Sequence, residues 1–167
     1  MANTQPFKGQ IKIICDANQE KKLNFSLPQK DVPLCDSLMS CYSKFKFTAE
    51  EKRDLSHHHR KIIHQYQCLE DEVILEYVNK LISALPSSKK KITVHASDFG
   101  SYICLAAIHS GKIPEDVKIS FELEDSPVEL FPKKYVKKAL NSHAKVKFTY
   151  SEDSWVKPFK SLYKACA

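Results

Sequence analysis

The chain has 167 residues, a net charge of +6, 43% hydrophobic and 28% charged residues, three glycines and six cysteines. That length suits one domain with a real core, the apolar share excludes wholesale disorder, and so few glycines argue against Gly-rich phosphate loops and a turn-dense all-β fold. No stretch approaches the ~20 apolar residues of a membrane span, and no signal-like run opens the sequence, so no membrane contact and a cytoplasmic or nuclear location are expected.

Ile11, Ile13 and Cys15 alternate with Lys12 and Asp16, and after a short polar turn Leu23, Phe25 and Leu27 alternate with Asn24 and Ser26. Two period-2 runs across a turn predict an antiparallel hairpin with one buried face. Val32, Leu34, Leu38 and Met39 suggest a short helix, and Phe45 and Phe47 flank Lys46 in a candidate strand. Thr48-Ala-Glu-Glu51 has the form of a capping box, opening a helix to about Gln67 with Leu55, Ile62, Ile63 and Tyr66 on its apolar side. Asp71–Leu85 is the clearest helix: Ile74, Val78, Leu81 and Leu85 keep one face, acid crowds the first turn, and Pro86 follows.

Ser87–Lys91 reads as a solvated linker, Ile92 and Val94 as strand-like, and Tyr102–Ile108 as a buried helix. Gly111 can end that helix in the left-handed conformation, and Pro114 with Glu115 and Asp116 suits a fresh helical turn. The residues after Pro114 admit two readings: a helix presenting Val117 and Phe121, or a strand burying Val117, Ile119, Phe121 and Leu123. Tyr135–Leu140 suggests a short basic helix, and Val146, Phe148 and Tyr150 a half-exposed strand. The fold class expected is α/β (α+β): a small mixed sheet with an N-terminal hairpin and several helices.

Three constellations invite chemistry. His95-Ala-Ser97-Asp-Phe-Gly100, between a strand-like run and an apolar helix, resembles a nucleophile elbow, which needs small residues around an exposed serine. Centred on Ser97 it has the bulky His95 and Phe99 at the glycine positions. The chain order of a serine hydrolase would then require Asp125 and His143 as partners. His57, His64 and Cys68 share one helix face and are zinc-type ligands, yet no paired fourth ligand accompanies them, so no metal is expected. The six cysteines show no CxxC pair and read as reduced thiols rather than a disulfide framework. Lysines at 89–91, 133–134 and 137–138 near Phe131, Tyr135 and Phe148 form a candidate nucleic-acid surface, but the aromatics alternate with lysines as core residues do.

Four landmarks resemble the BTB/POZ-type adaptors, specifically the S-phase kinase-associated adaptor of SCF ubiquitin ligases and elongin C. They are the IKII hairpin followed by VPLCDSLM, the helix SHHHRKIIHQY (Ser56–Tyr66), HASDF (His95–Phe99) and GKIPEDVKISFEL (Gly111–Leu123), with a late Asp153-Ser-Trp155 similar to the family's terminal Trp element. The resemblance implies a BTB/POZ-like single domain over 1–167, with an adaptor-like core over 1–123 and an extension over 124–167 packed on it. It implies a non-enzymatic protein–protein adaptor that links a substrate-recognition, F-box-like protein to a larger assembly such as a ubiquitin ligase complex, with F-box-like or cullin-like partners or a homodimer, and no cofactor. Partner binding would fall to Lys112, Pro114, Val117, Phe121 and Trp155, and scaffold docking to Val32, Leu34, Leu38, Ile62 and Tyr66. The alternative is a small serine hydrolase centred on Ser97.

Overall fold

The computed structural model describes residues 5–16, 19–29, 57–86, 91–130, 137–138, 142 and 144–156. The hairpin forms as the alternation predicts: β1 (Lys8–Asp16) pairs antiparallel with β2 (Gln19–Ser26), with Ile11 opposite Leu23 and Gly9 opposite Phe25. Two helices follow among the described residues, α1 (His57–Gln67) and α2 (Asp71–Ala84). The chain then enters β3 (Ile92–Ser97), α3 (Phe99–Ser110), β4 (Ile119–Glu124), a short 3-10 turn at Val128–Leu130 and β5 (Lys145–Thr149).

The sheet is mixed, in the order β2-β1-β3-β4-β5. β1 runs antiparallel to β3, whereas β3, β4 and β5 run parallel to one another. A parallel pair needs a crossover, and α3 supplies the one between β3 and β4. Period 2 decides which side chains reach the core. Ile92, Val94 and Ala96 of β3 and Ile119, Phe121 and Leu123 of β4 are buried, and they join Ile11, Ile13, Phe25 and the inner residues of α1, α2 and α3 in one apolar cluster. The opposite face of the sheet is polar. Lys12, His95, Glu122 and Lys147 stand in register across four strands.

α3 is buried along almost its whole length, from Phe99 to Ile108, which explains its lack of a polar stripe. It ends as expected at Gly111, whose φ of 73° is left-handed and whose N–H donates to the Ile108 carbonyl. Pro114 does not restart a helix. Val117 N–H closes a turn on the Pro114 carbonyl, and the chain enters β4 two residues later. A strand wins because Ile119, Phe121 and Leu123 at period 2 can all face the core beside β3, whereas a helix would bury only part of that set.

Phe121 is 1% exposed in the middle of the core. Phe121→Ala is expected to cost about 3–5 kcal/mol of stability, the usual range for emptying a packed phenylalanine site. Thermal and denaturant melting check this; an unchanged melting temperature would mean that β4 does not lie under the helices.

Candidate elbow site at Asp98

β3 passes into α3 through a single residue, Asp98, whose backbone sits at φ 54° and ψ −122°. L-residues with a side chain rarely adopt such a conformation, and holding one there costs about 1–3 kcal/mol. The neighbours leave the chain no easier route. Ala96 is paired in the sheet opposite Ile11 and Leu123, and Phe99 is fully buried. The Asp98 N–H donates to the Glu124 carbonyl at 3.0 Å, and its carbonyl accepts the Ser101 N–H at 3.1 Å. Its side chain does not cap the helix. The carboxylate Oδ1 instead accepts the indole N–H of Trp155 at 2.8 Å.

This is the strained strand-to-helix turn that the sequence suggested, displaced by one residue. Ser97 belongs to regular β3, in register with Glu124, and its side chain lies on the polar face of the sheet. Centring the motif on Asp98 removes the misfit: positions two before and two after become Ala96 and Gly100, both small, followed by Ser101. Elbow geometry demands small residues at those places because strand and helix approach each other closely around the tip. The approach is tight on the β1 side as well. A Cβ on Gly9 would overlap the backbone of Gly100 and Ser97, so β1 can reach the elbow only through a glycine.

Asp98 stands at the carboxyl end of the parallel strands, where sites in open α/β sheets gather. The corresponding residue after β4 is Asp125, also at positive φ (49°). Its carboxylate accepts the Ser151 N–H at 2.9 Å and the Ser151 hydroxyl at 2.9 Å and 3.2 Å. That contact fastens the segment after β5, which carries Trp155 back to Asp98. Beside them the Ser126 hydroxyl is buried without a hydrogen-bond partner among the described residues.

Burial pushes the Asp98 carboxyl up from 3.8 to about 7. The Trp155 hydrogen bond works against this, while the negative charges of Asp125 and Glu124 add to it. The positive end of α3 is a further force toward the ionised form. Under Asp98, Tyr66 packs edge-on against Tyr102 and Phe99 and lies 5.9 Å from Trp155 between ring centroids. Burial, then the proximity of Tyr102 and Asp98, raises the proton affinity of the Tyr66 hydroxyl, which donates to the Pro6 carbonyl at 2.6 Å.

The remaining sequence-derived sites fall elsewhere. Ile62 and Tyr66 face the core instead of a docking surface, and Phe121 and Trp155, the latter 4% exposed, are core residues that cannot anchor a partner from this position. Ile62, Tyr66 and Phe121 are drawn inward by the apolar periodicity of their own elements, whereas Trp155, named on the resemblance alone, packs beside Tyr66. Lys112 and Pro114 are exposed, Val117 is half-buried, and Lys112 Nζ donates to Asn79 Oδ1 at 2.8 Å. Val32, Leu34, Leu38 and His143 lie outside the described residues, as do Thr48 and the candidate strand at Phe45 and Phe47. His64, 1% exposed and held toward its neutral form by burial, places Nε2 3.5 Å from the Cys68 sulfur. Among the described residues no group of three or more His, Cys, Asp or Glu side chains could hold a metal ion, and no helix is long and apolar enough to cross a membrane. No protein-family profile, curated protein or solved structure matches the chain significantly.

The raised proton affinity of Asp98 makes a signed prediction. The folded protein binds this proton more tightly than the unfolded chain, so its stabilising effect is complete below pH 4 and is lost as pH rises to about 7. Asp98→Asn keeps an acceptor for Trp155 but cannot ionise. The variant should therefore gain stability relative to wild type as pH increases from about 4 to 7, with a constant difference above that window. Parallel pH-dependent melts of the two proteins would refute the shift.

Proposed function

We propose that the protein is a small α/β hydrolase whose reacting group is the Asp98 carboxyl. The observation that carries this reading is a strained elbow presenting a carboxyl whose proton affinity lies near neutrality. Strain of this size persists where surrounding structure enforces it, and such places are disproportionately functional. A proton affinity near the working pH is what general acid–base chemistry requires. In its ionised form Asp98 takes a proton from the attacking water; in its protonated form it returns that proton to the leaving group. Trp155 orients the carboxyl through Oδ1 and favours the ionised form, while Asp125 and Glu124 oppose it.

The test is a screen of small esters and amides, followed by variants. Asp98→Asn should lower kcat by roughly 100-fold or more, within the range that a positioned acid–base group supplies. Trp155→Phe removes the bond that favours the carboxylate, so the pH profile of any remaining activity should move upward. Turnover in ¹⁸O-labelled water should place the label in product alone; label retained in the Asp98 side chain would make it a nucleophile instead. Full activity in Asp98→Asn would end the proposal.

A second reading, protein–protein recognition of the adaptor type, is supported by the exposed turn at Lys112, Pro114, Glu115 and Asp116. This surface requires none of the buried anchors. Lys112→Glu combined with Pro114→Ala should weaken capture of an F-box-like or cullin-like protein at least about tenfold, with an unchanged melt, if the turn is a recognition surface. Unaltered capture would remove this reading.

A further inference from the structure

Two open clefts flank β3, and they differ in charge. The one over the polar sheet face is lined by Lys12, Glu20, His95, Glu122, Glu124 and Lys147. Its side chains are partly paired with one another: Lys12 meets Glu20 at 3.8 Å, and His95 Nδ1 lies 2.8 Å from Glu122. The other cleft, of about 520 Å³, opens beside the elbow and is lined by Lys8, Gln5, Gln10, Asn24, Ser97 and Asp98, among others. Its position follows from the strand pairing. β1 is antiparallel to β3, so Lys8 and Gly9 arrive beside the end of β3, and β2 adds Asn24, Phe25 and Ser26 opposite them.

Lys8 is exposed and forms no ion pair with any described residue. The cleft also holds the amides of Gln10 and Asn24; Gln10 Nε2 donates to Asn24 Oδ1 at 3.4 Å, so the Asn24 amide group remains a donor. Gly9 offers no side chain, so backbone forms the cleft wall next to Asp98. One cation, with neutral amides and the Asp98 acid in the same lining, suits a single negative charge better than a phosphate dianion, which calls for several positive groups.

We infer that this cleft admits the substrate of the Asp98 site and selects small molecules bearing a carboxylate, held by Lys8 while Gln10 and Asn24 bond the rest. The inference rests on the Asp98 reading for the word substrate, but the binding claim can be tested without turnover. An anion at Lys8 also stands near Asp98, and a like charge there favours the protonated acid.

Propionate and its neutral counterpart propionamide are the probes, followed by NMR of the full chain. Propionate should shift the Gly9 and Gln10 amides saturably and raise the pH at which Asp98 titrates; propionamide should do neither. Lys8→Gln should weaken propionate binding about three- to fivefold, the size expected for one exposed charge pair, and Lys8→Arg should retain it. Equal binding of the two probes, or a Lys8→Gln affinity equal to wild type, overturns the inference. The two proposals fail separately. If propionate binding needs Lys8 while Asp98→Asn hydrolyses normally, the cleft stands as a carboxylate site and the catalytic reading falls. If Asp98→Asn is inactive and the Lys8 variants bind propionate as wild type does, the reverse holds.

Discussion

The turn from β3 into α3 leaves a single residue between a strand locked on both edges and a helix buried along its length. β3 pairs with β1 on one side and β4 on the other, and α3 cannot slide away without exposing Phe99, Ile103 and Leu105. Asp98 therefore absorbs the whole change of direction at positive φ. Much of the architecture follows from that constraint. Gly9 and Gly100 lack side chains where β1 meets the turn, Ser101 ties the start of α3 to the Glu124 carbonyl through its hydroxyl, and Trp155 reaches in from the far edge of the sheet.

An unfavourable backbone of about 1–3 kcal/mol has to be offset by its surroundings. The aromatic group of Tyr66, Phe99, Tyr102 and Trp155 is well suited to do so, since edge-on and stacked ring pairs such as Tyr66–Tyr102 and Phe99–Tyr102 add about 0.5–1.5 kcal/mol each beyond burial. The group draws on α1, α3 and the segment after β5, three pieces distant in sequence. Asp125 and Ser151 fix the last of these pieces, so a charge that adds to the burial-driven rise in the proton affinity of Asp98 also belongs to the clamp that positions Trp155. Electrostatics and geometry at the elbow are thus carried by the same residues.

The two faces of the sheet divide the labour. The inner face buries aliphatic and aromatic side chains against the helices, whereas the outer face displays a register-matched row of Lys12, His95, Glu122 and Lys147. Within that row Lys12 pairs with Glu20 of β2, and His95 contacts Glu122 of β4. Lys8, at the strand end beside the elbow, has no such neighbour among the described residues. Position along a strand, more than the overall charge of +6, separates the two kinds of lysine.

Read alone, the sequence already contains the hairpin, the Asp71 helix, the buried helix ending at Gly111 and the strand at Val146, because each rests on a local period or stop signal. It also held the elbow: Ala96, Asp98 and Gly100 are spaced as the turn requires, although a serine one residue earlier drew attention away. It could not say that Phe121 and Trp155 are core residues rather than partner anchors, since an apolar side chain looks the same in either role. That the run after Pro114 pairs with β3 as a strand follows from the three-dimensional fold, because the partner for its backbone lies more than twenty residues away. Only the tertiary structure brought Lys8, Asp98, Asp125 and Trp155 to one end of the sheet. Antiparallel pairing of β1 and parallel pairing of β4 and β5 set that meeting, and long-range pairing leaves no mark in the local pattern.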